Sequence, residues 1–319
     1  MQVVHEKIVV LGTGGTIAGT SASPGNHLAY TSAQLGVEQL VQGLAPAGGL
    51  RVQTEQVAQV DSKDMDESIW QRLAARCAHW LAQPDVAGIV ITHGTDTLEE
   101  TAFFLDRVLA TAKPVVLTCA MRPADALVPD GPQNLQDAIA VAASPGVRGV
   151  VAVCAGVVHA ARDVAKTHPY RLDAYTSGEA GPVGVVEEGR LRALREWPAP
   201  QAPAAAARYA RAVARATRWP RVEIVLNHAG ARGALVQAVV AQGVDGLVAA
   251  GTGNGTLSAP LHEALLQARA QGVAVVRATR CAQGRVLPHA GDVLPDSDGL
   301  SPVKARVALM LDLLASGAT

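Results

Sequence analysis

The sequence predicts two α/β domains, a larger N-terminal domain built on a parallel sheet and a smaller C-terminal α/β domain. Three observations predict this. Apolar runs of four to seven residues alternate with longer segments of helical period, and strands that alternate with helices pair in parallel. Polar turns rich in glycine or hydroxyl residues follow the apolar runs, where open α/β sheets place their ligands. A proline- and alanine-rich stretch interrupts this rhythm past the middle of the chain, and the rhythm then resumes.

The elements follow in order. Lys7–Leu11 is a strand that ends in Gly12-Thr13-Gly14-Gly15-Thr16. Asp66–Leu81 places Ile69, Leu73, Cys77, Trp80 and Leu81 on one helical face. Val86–Ile91 is a buried strand and Leu98–Leu109 the helix after it. The strand Pro114–Cys119, a helix near Pro132–Ala143 and the strand Gly149–Cys154 continue the alternation. Val183–Val186 and Arg190–Leu194, on either side of Glu187-Glu188-Gly189, read as a hairpin closing a first domain over 1–196. Pro198, Pro200 and Pro203 mark a linker over 197–220, continuing as a helical segment through Thr217. The second domain, 221–319, holds strand Val222–Leu226, helix Ala231–Gln242, strand Gly246–Ala250, helix Ala259–Ala270 and strand Val273–Arg277. A last helix, Pro302–Leu314, has Ser301 as its N-cap and Pro302 at its first position.

Composition excludes some functions. The net charge is −1 and aromatics make up 3%, so neither a strong field nor a stacking surface points toward nucleic acid, and no charge patch points toward a membrane. No apolar run approaches the roughly 18 residues that cross a bilayer. The N-terminal stretch Met1–Lys7 has no basic segment ahead of a long apolar one, so no secretory signal is expected. Cys77, Cys119, Cys154 and Cys281 form no C-x-x-C pair and lie in or beside apolar segments; buried, reduced thiols and a cytoplasmic location are expected. The nine histidines show no H-x-x-x-H or H-E-x-x-H spacing, so no metal and no cofactor is expected. His93 is expected to orient its own loop.

Three turns could carry chemistry. In Gly12-Thr13-Gly14-Gly15-Thr16-Ile17-Ala18-Gly19 the glycines let backbone approach a ligand. A dinucleotide fingerprint from Gly12 would need glycine where Ile17 stands, and a phosphate loop over Gly14–Gly19 would need lysine where Thr20 stands. The second turn, Thr92-His93-Gly94-Thr95-Asp96-Thr97-Leu98-Glu99-Glu100, is accounted for in part by a capping box of Thr97 with Glu100, which leaves Gly94, Thr95 and Asp96 unexplained. The third, Ala161–His168, carries Lys166, which matters only where the fold brings it to the other two.

These segments together resemble the bacterial asparaginase and glutaminase-asparaginase family. The matching stretches are Thr13–Gly19, Ile91–Ala102, Lys113–Val116, Ala120–Pro123, Asp130–Leu135 and Arg162–Thr167, in order and over nearly the whole chain. The resemblance implies a nucleophilic threonine at Thr16, with Tyr30 assisting from a lid over Thr20–Leu28 that contains Ser21, Ser23, Pro24, Gly25, Asn26 and His27. It implies Thr95 and Lys166 as a hydroxyl–amine pair, Asp96 on the substrate α-amino group and Ser62, in Asp61–Met65, on its carboxylate. Gly15 and Gly94 bring backbone to the substrate, and backbone N–H groups near Gly15 or Gly94 are candidate oxyanion donors, each such donor worth about 3–4 kcal/mol of barrier. Asn254, in Gly251–Thr256, corresponds to a loop that relatives place against a neighbouring subunit's site. Relatives also contribute a partner-chain glutamate; Cys281–Leu300 offers Asp292, Asp296 and Asp298 instead.

The implied reaction is hydrolysis of L-asparagine to L-aspartate and ammonia, with weaker glutamine hydrolysis beside it, in a homotetramer built as a dimer of dimers. A threonine hydroxyl needs a base. Desolvation would favour a neutral Lys166 and the neighbouring Asp96 would oppose it, so the target of the base, Thr16, Thr95 or water, stays open. An acyl-enzyme on Thr16 is the preferred route and direct attack by water the alternative. A different class, a module that binds or senses an amino acid without turning it over, would use the same loops but has no need for both Thr95 and Lys166. Amidotransferase subunits of related sequence carry a further N-terminal domain and contact RNA, which the near-zero net charge disfavours.

Overall fold

The N-terminal unit, Met1–Ala207, is organised by one eight-stranded sheet. The structure, a computed structural model, describes residues 7–21, 28–44, 49–199 and 201–317. Its strands are β1 (Lys7–Gly14), β2 (Thr20–Ser21), β3 (Tyr30–Thr31), β4 (Arg51–Val60), β5 (Val86–Thr92), β6 (Pro114–Thr118), β7 (Gly149–Cys154), β8 (Val157–Ala160), β9 (Ala165–Lys166), β10 (Tyr175–Thr176), β11 (Gly184–Glu187) and β12 (Arg190–Ala193). Its helices are α1 (Val37–Leu40), α2 (Glu67–Leu81), α3 (Leu98–Val108) and α4 (Gly131–Ala143). The main sheet runs β12-β11-β8-β7-β6-β5-β1-β4. Pairing is parallel from β4 through β7 and antiparallel from β7 to β12. Antiparallel partners can follow through tight turns, which is why the helical crossovers stop after β7.

The central strands read as continuous apolar runs because both of their faces are covered. Val10, Val90, Val116 and Val151 share one core with Leu135, Ala138 and Ile139 of α4. Away from that core, α2 and α3 are joined by Trp70 stacked on Phe104, ring centroids 4.9 Å apart. The parallel alignment sends the ends of β1, β5 and β6 the same way, so the loops Gly14–Gly19, His93–Thr97 and Cys119–Pro123 open on one edge.

In the C-terminal unit, Arg208–Thr319, β13 (Val222–Leu226), β14 (Gly246–Gly251) and β15 (Ala274–Thr279) form a parallel sheet. Leu247 and Ala249 pack with Val236 of α6 (Ala234–Ala241) and with Leu261 and Leu265 of α7 (Ala259–Ala270). α8 (Pro302–Ser316) closes the unit. The fold class is as the sequence predicts. Within the expected linker the helical segment is α5 (Pro203–Arg215), with Ala206, Tyr209 and Val213 buried at i, i+3 and i+7.

Ser301 stands at the N-cap of α8 with Pro302 after it, as expected, although its hydroxyl is buried without a hydrogen-bond partner. Local expectations need correction at two points. Thr97 occupies the N-cap of α3 but makes no side-chain cap bond; its hydroxyl instead donates to the Ser62 carbonyl at 2.7 Å. Of the cysteines, Cys77, Cys119 and Cys154 are buried, but Cys281 is exposed because it lies past the end of β15 rather than inside it. All four are free thiols.

Candidate active site

The site is built where two glycine loops touch. Gly15 leaves β1 at φ 82°, ψ −171°, a conformation essentially confined to glycine. A Cβ there would stand 2.2 Å from Gly94 Cα and 2.4 Å from Gly94 N. A Cβ on Gly94 would in turn meet Ser62 Oγ at 2.4 Å. The backbones of two loops and the Ser62 side chain therefore meet with no room for a further side chain. The residues after each glycine, Thr16 and Thr95, are carried to neighbouring positions by this contact.

Thr16 begins the 3₁₀ turn Thr16–Ala18 and is 5% exposed. Its Oγ1 lies 2.7 Å from the Tyr30 hydroxyl. Tyr30 is placed by the β2–β3 ladder, in which it pairs with Ser21 across the base of the expected lid. Ser23, Pro24, Gly25, Asn26 and His27, expected in that lid, lie outside the described residues.

Lys166 closes on the second loop. Its Nζ donates to Thr95 Oγ1 at 2.8 Å and to Asp96 Oδ1 at 2.6 Å. Because Thr95 Oγ1 accepts from the amine, its own proton is free to point elsewhere; the Asp96 carboxylate at 3.5 Å is a distant acceptor. The Lys166 backbone N–H donates to Glu99 Oε1 at 3.1 Å, which ties β9 to the first turn of α3. Ser62 is 1% exposed, and its Oγ accepts the Asp96 N–H at 3.1 Å, leaving the Ser62 hydroxyl proton to donate.

His93 orients the loop, as expected. It is fully buried, and Nδ1 must carry the proton it shares with the Gly94 carbonyl at 2.8 Å, since that oxygen only accepts. Nε2 is left buried and unpartnered. Burial pushes the imidazole pKa down to about 4 against a smaller opposing effect of the Gly94 bond, so the ring is neutral near pH 7.

Gly15 does not supply an oxyanion donor. Its N–H is taken by the Val60 carbonyl at 2.9 Å, where the β1–β4 register shifts. In the C-terminal unit, the Asn254 carboxamide is engaged on both sides by Leu287, donating to its carbonyl at 2.8 Å and accepting its N–H at 2.7 Å. Asp292 is bound to Arg277 at 2.5 Å and to His289 at 3.1 Å, and the Arg277 guanidinium foremost holds its carboxyl below the usual range.

Two supporting groups are absent from the expectations. Asp130 accepts the Met121 and Arg122 N–H groups at 2.9 Å each, fixing the loop after β6. Tyr175 donates its hydroxyl to the Thr95 carbonyl at 2.5 Å. Asp130 sits in one of the matching stretches and could have been flagged; no local pattern marks Tyr175. Among the described residues, no group of three His, Cys, Asp or Glu could hold a metal ion.

Residues 7–199 match the model of the family "Asparaginase, N-terminal", and residues 221–318 match "Glutaminase/Asparaginase C-terminal domain". The chain belongs to the asparaginase family. Similar proteins include L-asparaginase 2 of Bacillus subtilis, 38% identical over 96% of this chain and 82% of the relative. The glutaminase-asparaginase of Pseudomonas fluorescens is 37% identical over 96% of this chain and 86% of that protein. A solved structure of a probable cytoplasmic L-asparaginase from Campylobacter jejuni superposes with a TM-score of 0.89 at 34% identity, covering 97% of this chain and 95% of that one. Loops that meet in this asparaginase-family chain thus do so on a fold shared over 97% of its length.

Proposed function

We propose that the protein is an L-asparaginase that hydrolyses the side-chain amide of asparagine to give aspartate and ammonia, with weaker action on glutamine. The observation that carries this is the Lys166 amine held on Thr95 Oγ1 at 2.8 Å, on a loop that touches the Thr16 loop backbone to backbone. A binding module would need the carboxylate and hydroxyl groups but not a partly buried hydroxyl–amine pair. Family membership and the names of the relatives support the same reaction.

In this reading Thr16 Oγ1 adds to the amide carbonyl as its proton passes to the Tyr30 oxygen, 2.7 Å away, and the Tyr30 proton moves on toward the departing nitrogen, so that the C–N bond breaks and ammonia leaves the Thr16 ester. Asp96 and the Ser62 hydroxyl hold the substrate α-amino and α-carboxylate groups. With the Gly15 N–H engaged, oxyanion stabilisation falls to the Gly94–Thr95 loop. The Thr95–Lys166 pair relays protons to the leaving nitrogen and from the water that hydrolyses the acyl-enzyme. Asn254, fixed by its two bonds to Leu287, keeps a second amide proton and a second lone pair with which to serve a neighbouring protomer's site. A homotetramer and a cytoplasmic location complete the reading, supported by the resemblance and by the free thiols.

Ammonia release from asparagine and glutamine, compared in the unaltered protein and in Lys166→Met, tests it. Release should be faster from asparagine and fall by about 10³-fold or more in the folded variant. Calorimetry showing tight asparagine binding with no aspartate formed by the unaltered protein would leave only a binding module.

A further inference from the structure

Tyr175 touches both members of the Thr95–Lys166 pair. Its backbone is the cross-strand partner of Lys166 in the β9–β10 ladder, and the neighbouring Thr167 N–H to Ala174 carbonyl bond, 2.8 Å, extends that pairing. Its hydroxyl reaches across the sheet edge to the Thr95 carbonyl at 2.5 Å. One residue therefore fixes the strand that carries the amine and the peptide that carries the hydroxyl. The side chain is 8% exposed, so water does not replace it.

The hydrogen bonds behind it run in one direction. A phenol has one proton, and the Thr95 carbonyl takes it. The Tyr175 oxygen can then only accept, and Cys119 Sγ donates to it at 3.8 Å. Cys119 Sγ in turn lies 3.4 Å from Cys154 Sγ, which must be the donor of that contact. Two buried thiols and a phenol thus point their protons toward Thr95. Burial foremost pushes the Tyr175 phenol up, and the Cys119 contact with burial pushes the Cys154 thiol up, so both stay protonated across the range in which such enzymes work.

We infer that Tyr175 is a positioning residue for the hydrolysis: its hydroxyl holds the Thr95 peptide and its strand holds Lys166, so hydroxyl and amine stay within hydrogen-bond reach. The inference rests on the reading of Thr95 and Lys166 as reacting groups. It assigns Tyr175 no contact with substrate and no titration of its own. Loss of the hydroxyl should lower kcat, leave KM nearly unchanged and leave the limbs of the pH profile where they were.

The test is steady-state hydrolysis of asparagine by Tyr175→Phe and by a protein in which Tyr175 is replaced by 4-aminophenylalanine, whose N–H can donate in place of the hydroxyl. Lys166→Met is run beside them. The expected result is a kcat about tenfold lower in Tyr175→Phe, a KM within twofold, unmoved pH limbs, and recovery of most of the loss with the amino analogue. A folded Tyr175→Phe protein with unaltered kcat, or a folded amino analogue that stays tenfold slow, overturns the inference. If Tyr175→Phe does not fold, the amino analogue alone decides by the same criterion. Full activity in Lys166→Met would instead overturn the reading beneath it, whatever Tyr175→Phe does.

Discussion

Replacing Gly15 by alanine tests whether the contact between the two glycine loops sets the site. The methyl carbon would lie 2.2 Å from Gly94 Cα and 2.4 Å from Gly94 N, whereas carbon atoms in good contact are about 3.5–4.0 Å apart, so the loops must part by roughly 1 Å or more. A displacement of about 1 Å in a catalytic constellation costs on the order of 100-fold in rate. The backbone adds its own penalty: alanine at φ 82°, ψ −171° is strained by about 1–3 kcal/mol. Overpacking contributes another 1–3 kcal/mol or so. Gly15→Ala should therefore lose about 2–6 kcal/mol of stability and at least about 100-fold in kcat. Ammonia release measured well below the melting temperature of the variant, with circular dichroism to confirm folding, separates the two losses. A folded Gly15→Ala protein with unaltered kcat would refute the argument that this contact aligns Thr16 with Thr95.

Two further outcomes follow from burial. His93 has a folded-state pKa of about 4 against an ordinary 6.5, so the unfolded chain takes up a proton first as pH falls. Its contribution is complete above pH 6.5 and disappears by about pH 4, a loss of about 3 kcal/mol at 1.36 kcal/mol per unit. Urea unfolding across pH 4–7 should show this slope in the unaltered protein and a shallower one in His93→Gln; equal slopes would count against it. Thiol titration with a bulky aromatic disulfide should label Cys281 rapidly in the native protein and the other three cysteines only after denaturation. Rapid labelling of more than one thiol would show that Cys119 and Cys154 are not enclosed as described.

What was legible in the sequence and what was not divides along chain separation. The apolar runs of β1, β5, β6 and β7 declared themselves because buried parallel strands lack polar faces, and α2 because Ile69, Leu73, Cys77 and Trp80 recur at helical spacing and are buried on one face. The β4 strand, Arg51–Val60, went unread: it is the sheet edge and carries mostly polar, half-exposed residues. The ladders β2–β3 and β9–β10 are two residues long, too short for alternation to register, yet they place Tyr30 and Lys166. The Thr97 hydroxyl and the Gly15 N–H show what local reading leaves out. Each had a plausible local role, and each found a distant partner instead, the Ser62 and Val60 carbonyls. Tyr175 could not be found from sequence, because its partner Thr95 lies 80 residues away. Thr16, Thr95, Asp96 and Lys166 were legible only through family motifs; spacing alone left Lys166 as one more solvated charge.

The most direct measurement is the mass of the intact protein quenched in acid within its first turnovers on asparagine, followed by peptide mapping. The account predicts a transient adduct equal to asparagine less ammonia, on the peptide that contains Thr16, absent from Thr16→Ala together with ammonia release. Undiminished ammonia release by a folded Thr16→Ala protein, or an adduct on a different residue, would contradict it.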